Sequence, residues 1–187
     1  MATKTTAKKP TKAVTHVKSN GTGALDDIKP AIGLSDAQRE GVVQLLNVHL
    51  SNLHVLYIKT RNYHWNIRSP RFAELHEFFE EQYDILAESI DEFAERVRQL
   101  GGIALGTMKE FTLTATLKEQ PGVVPDAQTM IENLLADHEH IIRELRGDVD
   151  RTADVFHDAG TSDFLTGAME THEKMAWMLR AHLTGDN

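Results

Sequence analysis

The sequence predicts an all-α protein built as a four-helix bundle with one long crossover connection. Three observations predict this class: apolar residues recur three and four positions apart over four long stretches, turn residues separate the stretches, and alternating strand-like patterns are absent. The 187 residues are 41% hydrophobic and 26% charged, which is typical of a soluble globular domain with its own core. There are no cysteines, so disulfides, thiolate zinc sites and cysteine nucleophiles are excluded.

The first pair of helices is predicted from its start and stop signals. Ser35 and Gln38 form an S-x-x-Q capping box, and apolar residues then repeat at helical spacing to about Trp65. The segment RSPR interrupts the pattern. A second helix is expected over residues 72–100, where a pair of glycines stops it.

The second pair of helices follows a long connection. Residues 103–124 mix threonine, glycine and proline around a short apolar piece at 111–117. A third helix is expected from about Pro125 to Ala159, with Gly160 ending it, and a fourth over 162–183. Two helical pairs joined by one long crossover have the connectivity of a ferritin-like bundle.

The chain is predicted to have two parts, a disordered tail at 1–30 and a bundle domain at 31–187. The tail has too few large apolar residues to order itself, and it carries a net charge of +4 in a chain whose net charge is −8. One interpretation is a solvated tail that aids solubility, which is the commoner case; the other is a DNA-binding tail, which would contact DNA electrostatically and without sequence preference. Its first twenty residues hold five lysines, namely Lys4, Lys8, Lys9, Lys12 and Lys18.

No segment of the sequence is typical of export or membrane insertion. The lysine-rich start has no apolar stretch of the kind found in secretory signals, and no apolar run approaches the ~20 residues that span a membrane. We therefore expect a cytoplasmic protein, associated with the nucleoid if the tail binds DNA.

Two pairs of metal-type ligands lie on the second predicted helix. His76 and Glu80 are four residues apart, and so are Asp91 and Glu95. At about 100° per residue, all four lie within a sector of about 100° beside the apolar core stripe. Glu80 and Asp91 are separated by ~16 Å of helix rise, so the two pairs cannot share one metal within one chain.

The positions of these four residues are palindromic. The pair His76 and Glu95 and the pair Glu80 and Asp91 are both centred between positions 85 and 86. Two copies of the helix that cross antiparallel on a two-fold axis at this point would bring the members of each pair together. The sequence therefore predicts two identical sites per dimer, each with ligands from both subunits.

A second histidine is expected to join each site. His64 closes the first predicted helix, and the hairpin returns the second helix past it, so that His64 and His76 could converge on one metal. Two imidazoles with carboxylates suit iron, and zinc or manganese are also compatible. The alternative interpretation is a solvated acidic face with a chance histidine, which is the commoner origin of such spacings.

The chain resembles the Dps family of mini-ferritins over residues 35–185. The resemblance is most specific in YHWN at 63–66, in the helix that begins LHEFFEE, and in DEFAERVRQLGG at 91–102. It implies a four-helix bundle with a short helix in the crossover. It also implies a hollow dodecamer that oxidises Fe²⁺ with hydrogen peroxide or oxygen, stores the ferric mineral and protects DNA from oxidative damage.

The resemblance also implies roles for individual residues of a ferroxidase site between subunits. One subunit would supply His64, His76 and Glu80, and the other Asp91 and Glu95, while Trp65 matches a tryptophan beside the site. The family usually has aspartate where this chain has Glu80, so the carboxylate lies one methylene further out.

Acidic residues outside the site are implied to handle iron before and after oxidation. Glu77 and Glu81 match positions associated with mineral nucleation. The segment FHDAGTSDFLT is similar to an acidic pore segment, which would place Asp158 and Asp163 at a channel for iron uptake.

Two rival functions remain open at this stage. A di-iron protein with its metals inside one subunit would use Glu-x-x-His pairs, and the sequence contains none. A nucleoid-compacting DNA-binding structural protein with a weak or silent metal site is the other rival. The remaining histidines of the bundle are interpreted as packing or surface residues, and they are His49, His54, His138, His140, His157, His172 and His182.

Overall fold

The computed structural model describes residues 29–183, which form five α-helices and no strand within that range. The helices are α1 (Asp36–Asn66), α2 (Phe72–Gln99), α3 (Met108–Thr114), α4 (Ala127–Asp154) and α5 (Ala159–Ala181). α1 pairs with α2, α4 pairs with α5, and α3 packs on α1 in the crossover between the two pairs. The predicted four-helix bundle with a short helix in one long crossover is therefore confirmed. The lysines of the predicted tail, from Lys4 to Lys18, lie outside the described residues.

The first helical pair begins and ends close to the predicted residues. The Ser35 hydroxyl accepts a hydrogen bond from the Gln38 backbone at 3.3 Å, and the Gln38 side chain accepts one from the Ser35 backbone at 2.8 Å. The predicted capping box is thus confirmed. After α2, Gly101 has a φ of 79°, the left-handed conformation that favours glycine. A Cβ there would lie 2.7 Å from Cδ of Pro30, so close approach requires glycine as well.

The predicted break between the last two helices is wrong in position. The third helix is predicted to run to Ala159 and to end at Gly160, but α4 ends at Asp154 and Gly160 lies inside α5. The chain turns at His157, which has a φ of 54°. Asp158 then caps α5, because its carboxylate accepts a hydrogen bond from the backbone of Thr161 at 3.0 Å. The aspartate cap, and not the glycine, sets the start of α5.

One buried asparagine holds the crossover against the bundle. Asn52 of α1 accepts hydrogen bonds through Oδ1 from the backbone of Thr116 at 2.8 Å and of Leu117 at 3.1 Å. Its Nδ2 donates to Glu144 of α4 at 2.8 Å. The same side chain therefore satisfies backbone donors of the crossover and ties the two helical pairs together.

The hydrophobic core runs the length of the bundle and leaves one face of α2 in solvent. The apolar core stripe of α2 is mostly buried, and two of its residues, Ile85 and Ile90, are partly buried against the core. The buried ones are Leu75, Phe78, Phe79, Leu86, Phe93 and Val97. None of the helices in the described range is long and apolar enough to cross a membrane.

Candidate metal centre

Two histidines meet where α1 ends and α2 begins. His64 lies in the last turn of α1 and His76 one turn into α2, because the short connection folds α2 back along α1. Their rings stack with centroids 3.7 Å apart and 20° between the ring planes. His64 is buried and His76 is partly buried. The structure thus brings together the two histidines that the sequence singled out.

Each of these histidines is oriented by the backbone of the other. Nδ1 of His64 donates to the carbonyl of His76 at 2.7 Å, and Nδ1 of His76 donates to the carbonyl of His64 at 2.9 Å. A carbonyl oxygen only accepts, so each Nδ1 carries a proton, and in the neutral ring Nε2 is the nitrogen with the free lone pair. The carbonyl of His64 is also one of the last four of α1, which lack partners within the helix. The arrangement therefore satisfies a helix end and holds both rings in the tautomer that binds metal through Nε2.

Glu80 completes a cluster of three ligands on one subunit. One ligand atom from each of His64, His76 and Glu80 lies within 4.8 Å of the other two. Within residues 29–183, no other set of three histidine or carboxylate side chains converges as closely. Metal–ligand bonds of ~2.1 Å allow donor atoms to be up to ~4.2 Å apart, so a small movement would close the cluster on one ion. Two nitrogens and one oxygen are a donor set that suits iron, zinc or manganese.

Aromatic rings pack against both histidines of the cluster. The Phe72 ring stacks on His76 with centroids 5.0 Å apart, and the Tyr83 ring meets His64 edge to face at 5.3 Å. Tyr83 is not among the residues predicted from the sequence. Its position one helical turn after Glu80 was an available signal, because residues three apart share a helix face.

A single guanidinium lies among three aromatic rings next to the cluster. The central carbon of Arg61 is 5.0 Å from the ring centroid of Trp65, 5.3 Å from that of Tyr83 and 5.5 Å from that of Tyr57. Trp65, which the sequence placed beside the site, is largely exposed. Cation–π attraction to three rings stabilises this arrangement of side chains between α1 and α2.

The two remaining predicted ligands, Asp91 and Glu95, lie at the far end of α2. α2 is continuous, so ~16 Å of helix separate Asp91 from Glu80. Both side chains are exposed, and neither makes a hydrogen bond or ion pair with any residue of the described range. The structure therefore does not join them to the cluster within one subunit, and a site shared between subunits stays a prediction.

The other acidic candidates differ in their exposure. Glu77, Glu81 and Asp163 are exposed. Asp158, in contrast, is 6% exposed and its carboxylate lies 3.3 Å from Nη2 of Arg96. Its charge is balanced inside the subunit, whereas a pore that attracts cations needs carboxylates whose charge reaches solvent. A pore role remains a prediction, which the exposure of Asp163 allows and the burial and ion pair of Asp158 disfavour.

Three of the remaining histidines are buried and form side-chain pairs between helices. His49 of α1 lies 2.9 Å from Asp148 of α4, and His138 of α4 lies 2.8 Å from His172 of α5. Burial, with a smaller contribution from His49, lowers the pKa of His172 to about 3. Burial and then His172 hold the pKa of His138 well below its usual value. Both imidazoles are therefore neutral at pH 7 and serve the packing of the bundle.

Comparisons with known proteins agree on one family. The model of the ferritin-like domain matches residues 43–187. An uncharacterised low temperature-induced protein of Nostoc sp. strain PCC 7120 is 53% identical over 154 residues, which are 82% of this chain and 86% of the relative. DNA protection during starvation protein 2 of Bacillus anthracis is 39% identical over 142 residues, which are 76% of this chain and 96% of the relative. A solved structure of Dps from Vibrio cholerae O1 matches with a TM-score of 0.78 and 33% identity. It is described as a member of a broad superfamily of ferritin-like diiron-carboxylate proteins, and the match covers 83% of this chain and 97% of that chain.

Proposed function

Because the chain belongs to the Dps family of ferritin-like proteins, we propose that it is an iron-storing mini-ferritin that protects DNA during starvation. Its chemistry is the oxidation of Fe²⁺ at sites shared between two subunits. Twelve copies form the hollow shell in which Fe³⁺ is deposited. Iron is the substrate, and zinc or manganese are ions that the same ligands accept.

The observation that carries this proposal is a half-built site on each subunit. His64, His76 and Glu80 converge at the subunit surface, while Asp91 and Glu95 are exposed and unpaired within the described residues. A two-fold axis at the middle of α2 supplies the missing half. Asp91 and Glu95 of the partner subunit then face the cluster, and each dimer has two complete sites.

The ligand set suits oxidation of Fe²⁺ followed by release. Neutral imidazole nitrogens bind Fe²⁺ without adding charge, and carboxylates favour the harder Fe³⁺. Two Fe²⁺ ions give one electron each to hydrogen peroxide, whose O–O bond breaks. Two protons are taken up and two water molecules leave. A paired transfer of this kind limits the formation of hydroxyl radicals.

Exposed carboxylates are proposed to guide iron on either side of this step. A ring of Asp163 side chains at a symmetry axis raises the local concentration of Fe²⁺. Glu77 and Glu81, exposed on α2, supply oxygen ligands on which Fe³⁺ mineral nucleates. DNA is contacted through the lysine-rich tail, and a shell that carries twelve tails gains affinity from many weak contacts.

Recovery of activity in mixed particles tests the shared site. One variant carries His64→Ala and His76→Ala, and a second carries Asp91→Asn and Glu95→Gln. Each alone should lose rapid Fe²⁺ oxidation, because every site lacks half of its ligands. After unfolding, mixing and reassembly, half of the dimers are mixed and each mixed dimer has one intact site. About a quarter of the wild-type sites should therefore return, as measured by stopped-flow absorbance of Fe³⁺.

A matched control removes the possibility of recovery. The histidine variant is mixed instead with a variant that carries all four substitutions, so that no dimer can assemble a complete site. This mixture should stay inactive. Particles shown by mass spectrometry to be mixed, yet without recovered activity in the first experiment, would contradict the shared site.

A further inference from the structure

The Glu80 side chain is longer and has more rotational freedom than an aspartate would have at the same position. Its carboxylate is attached through one methylene more than an aspartate has, and the extra rotatable bond must be ordered when a metal binds. Glu80 is exposed, so the bundle core does not restrain it. Its carboxylate nevertheless lies within 4.8 Å of the ligand nitrogens of His64 and His76. A neighbouring group that holds the carboxylate there before a metal binds would lower this entropic cost.

Tyr83 is placed to be that group. It lies one helical turn after Glu80 on α2, and its ring meets the His64 ring at 86° with centroids 5.3 Å apart. Residues three apart share a helix face, and both Glu80 and Tyr83 approach His64, so the hydroxyl and the carboxylate are neighbours at the cluster. A phenol is protonated at neutral pH and a carboxylate only accepts, so the Tyr83 hydroxyl is the donor of any hydrogen bond between them.

Arg61 and Tyr57 restrain the Tyr83 ring on its other side. The guanidinium of Arg61 lies over both tyrosine rings, and its Nη1 donates to the Tyr57 hydroxyl at 2.9 Å. The Tyr57 and Tyr83 rings meet edge to face with centroids 6.1 Å apart. Rings in contact with His64, Arg61 and Tyr57 at once have little room to swing, so the Tyr83 hydroxyl has a defined position.

We propose that Tyr83 is a positioning residue that holds the longer Glu80 side chain in place for metal binding by donating a hydrogen bond to its carboxylate. One carboxylate oxygen then accepts from Tyr83, and the other is directed toward the Nε2 atoms of His64 and His76. Hydrogen-bonded carboxylates are ordered before the metal arrives, which increases affinity. The role rests on the proposed function, because it concerns the same ligands. It also explains how this chain uses glutamate where its family usually has aspartate.

A double-mutant cycle with Co²⁺ as the probe tests this role in the assembled protein. Co²⁺ binding is followed by its visible absorption, which reports ligand geometry and does not depend on oxidation activity. Tyr83→Phe removes only the hydroxyl and should weaken Co²⁺ binding about tenfold and change the absorption bands. In a Glu80→Asp background, the carboxylate is one methylene shorter, and we expect the hydroxyl not to reach it. There the same Tyr83→Phe change should alter affinity by less than about twofold.

Two controls separate failure of this role from failure of the proposed function. Tyr63→Phe removes a hydroxyl that accepts a hydrogen bond from Asn133 of α4 and takes no part in the cluster around Tyr83, so it should leave Co²⁺ affinity unchanged. His76→Ala should abolish binding at the site. Lost binding in His76→Ala with unchanged binding in Tyr83→Phe would overturn the positioning role alone. Equal losses from Tyr83→Phe in both backgrounds would also overturn it, and unchanged binding in His76→Ala would refute the metal centre itself.

Discussion

Asp158 stabilises the turn between α4 and α5, and its replacement should measure how much. The carboxylate is 6% exposed, caps α5 through the backbone of Thr161 at 3.0 Å, and lies 3.3 Å from Nη2 of Arg96. Arg96 also donates to the Thr161 hydroxyl and to the side chain of Gln99, so the network joins the end of α2 to the start of α5. Asp158→Ala removes the cap and leaves Arg96 with neutral partners only.

The expected loss of stability has two parts. A helix cap of this kind contributes ~1 kcal/mol. Breaking a fully buried ion pair costs roughly 3–5 kcal/mol, but Arg96 is 22% exposed and keeps its bonds to Thr161, which reduces this part to about 1 kcal/mol. Asp158→Ala should therefore lower the free energy of unfolding by about 2 kcal/mol, and the melting temperature by roughly 4–8 °C. Asp158→Asn should lose only the ionic part, because asparagine caps helices as well as aspartate does.

Thermal unfolding at a fixed protein concentration, followed by circular dichroism, measures these differences. Asp163→Asn is the matched control, since Asp163 is an exposed carboxylate at the start of the same helix. It should change the free energy of unfolding by less than ~0.5 kcal/mol. The melting temperatures should rank the control highest, then Asp158→Asn, then Asp158→Ala. An Asp158→Ala protein that melts with the control would refute the reasoning about both the cap and the ion pair.

Three further outcomes are expected. His172 has a pKa of about 3 in the folded protein, against 6.5 for an exposed histidine, so it is neutral at pH 7. Between these two values the unfolded chain binds more protons than the folded one. The free energy of unfolding therefore falls as the pH drops from 6.5 toward 3. The destabilisation caused by His172→Gln, measured by urea unfolding, should therefore be largest at neutral pH and shrink at lower pH. Asp163→Asn should slow iron uptake without affecting assembly, and the effect should diminish at high salt; unchanged kinetics would remove Asp163 from the pore. Deletion of residues 1–25 should abolish any shift of DNA in a gel and leave iron oxidation intact, and a truncated protein that still binds DNA would exclude the tail.

The local features of the fold were predictable because they depend on residues close together in the chain. The capping box of Ser35 and Gln38, and the stop at Gly101, involve side chains and backbone within one helical turn. The core face of α2 follows from its period alone. The same periodicity identified His76 and Glu80 as neighbours. The misplaced break near Gly160 shows the limit of local signals. A glycine that could end a helix and an aspartate that could cap one lie within three residues, and in the structure Asp158 caps α5 while Gly160 lies inside it.

Gly160 is instead explained by a contact that is remote in the chain. A Cβ at this position would lie 3.1 Å from Nη2 of Arg96, so the glycine leaves space for the guanidinium that pairs with Asp158. No sequence pattern near residue 160 predicts that an arginine of α2 contacts this position. The burial of Asp158, which weakens its predicted role in a pore, comes from the same contact.

The sequence by itself determined the number and order of the long helices, which of their faces are apolar, and that the ligands of α2 are too far apart for one site in one chain. Only the tertiary structure decided which side chains from different helices meet: the stacked rings of His64 and His76, the Tyr83 ring beside them, and the buried pair of His138 and His172. The physical reason is one of range. Helix geometry relates residues within a few turns by a constant rise and rotation, whereas contacts between helices depend on how the whole core packs, and a shift of one turn would pair different side chains.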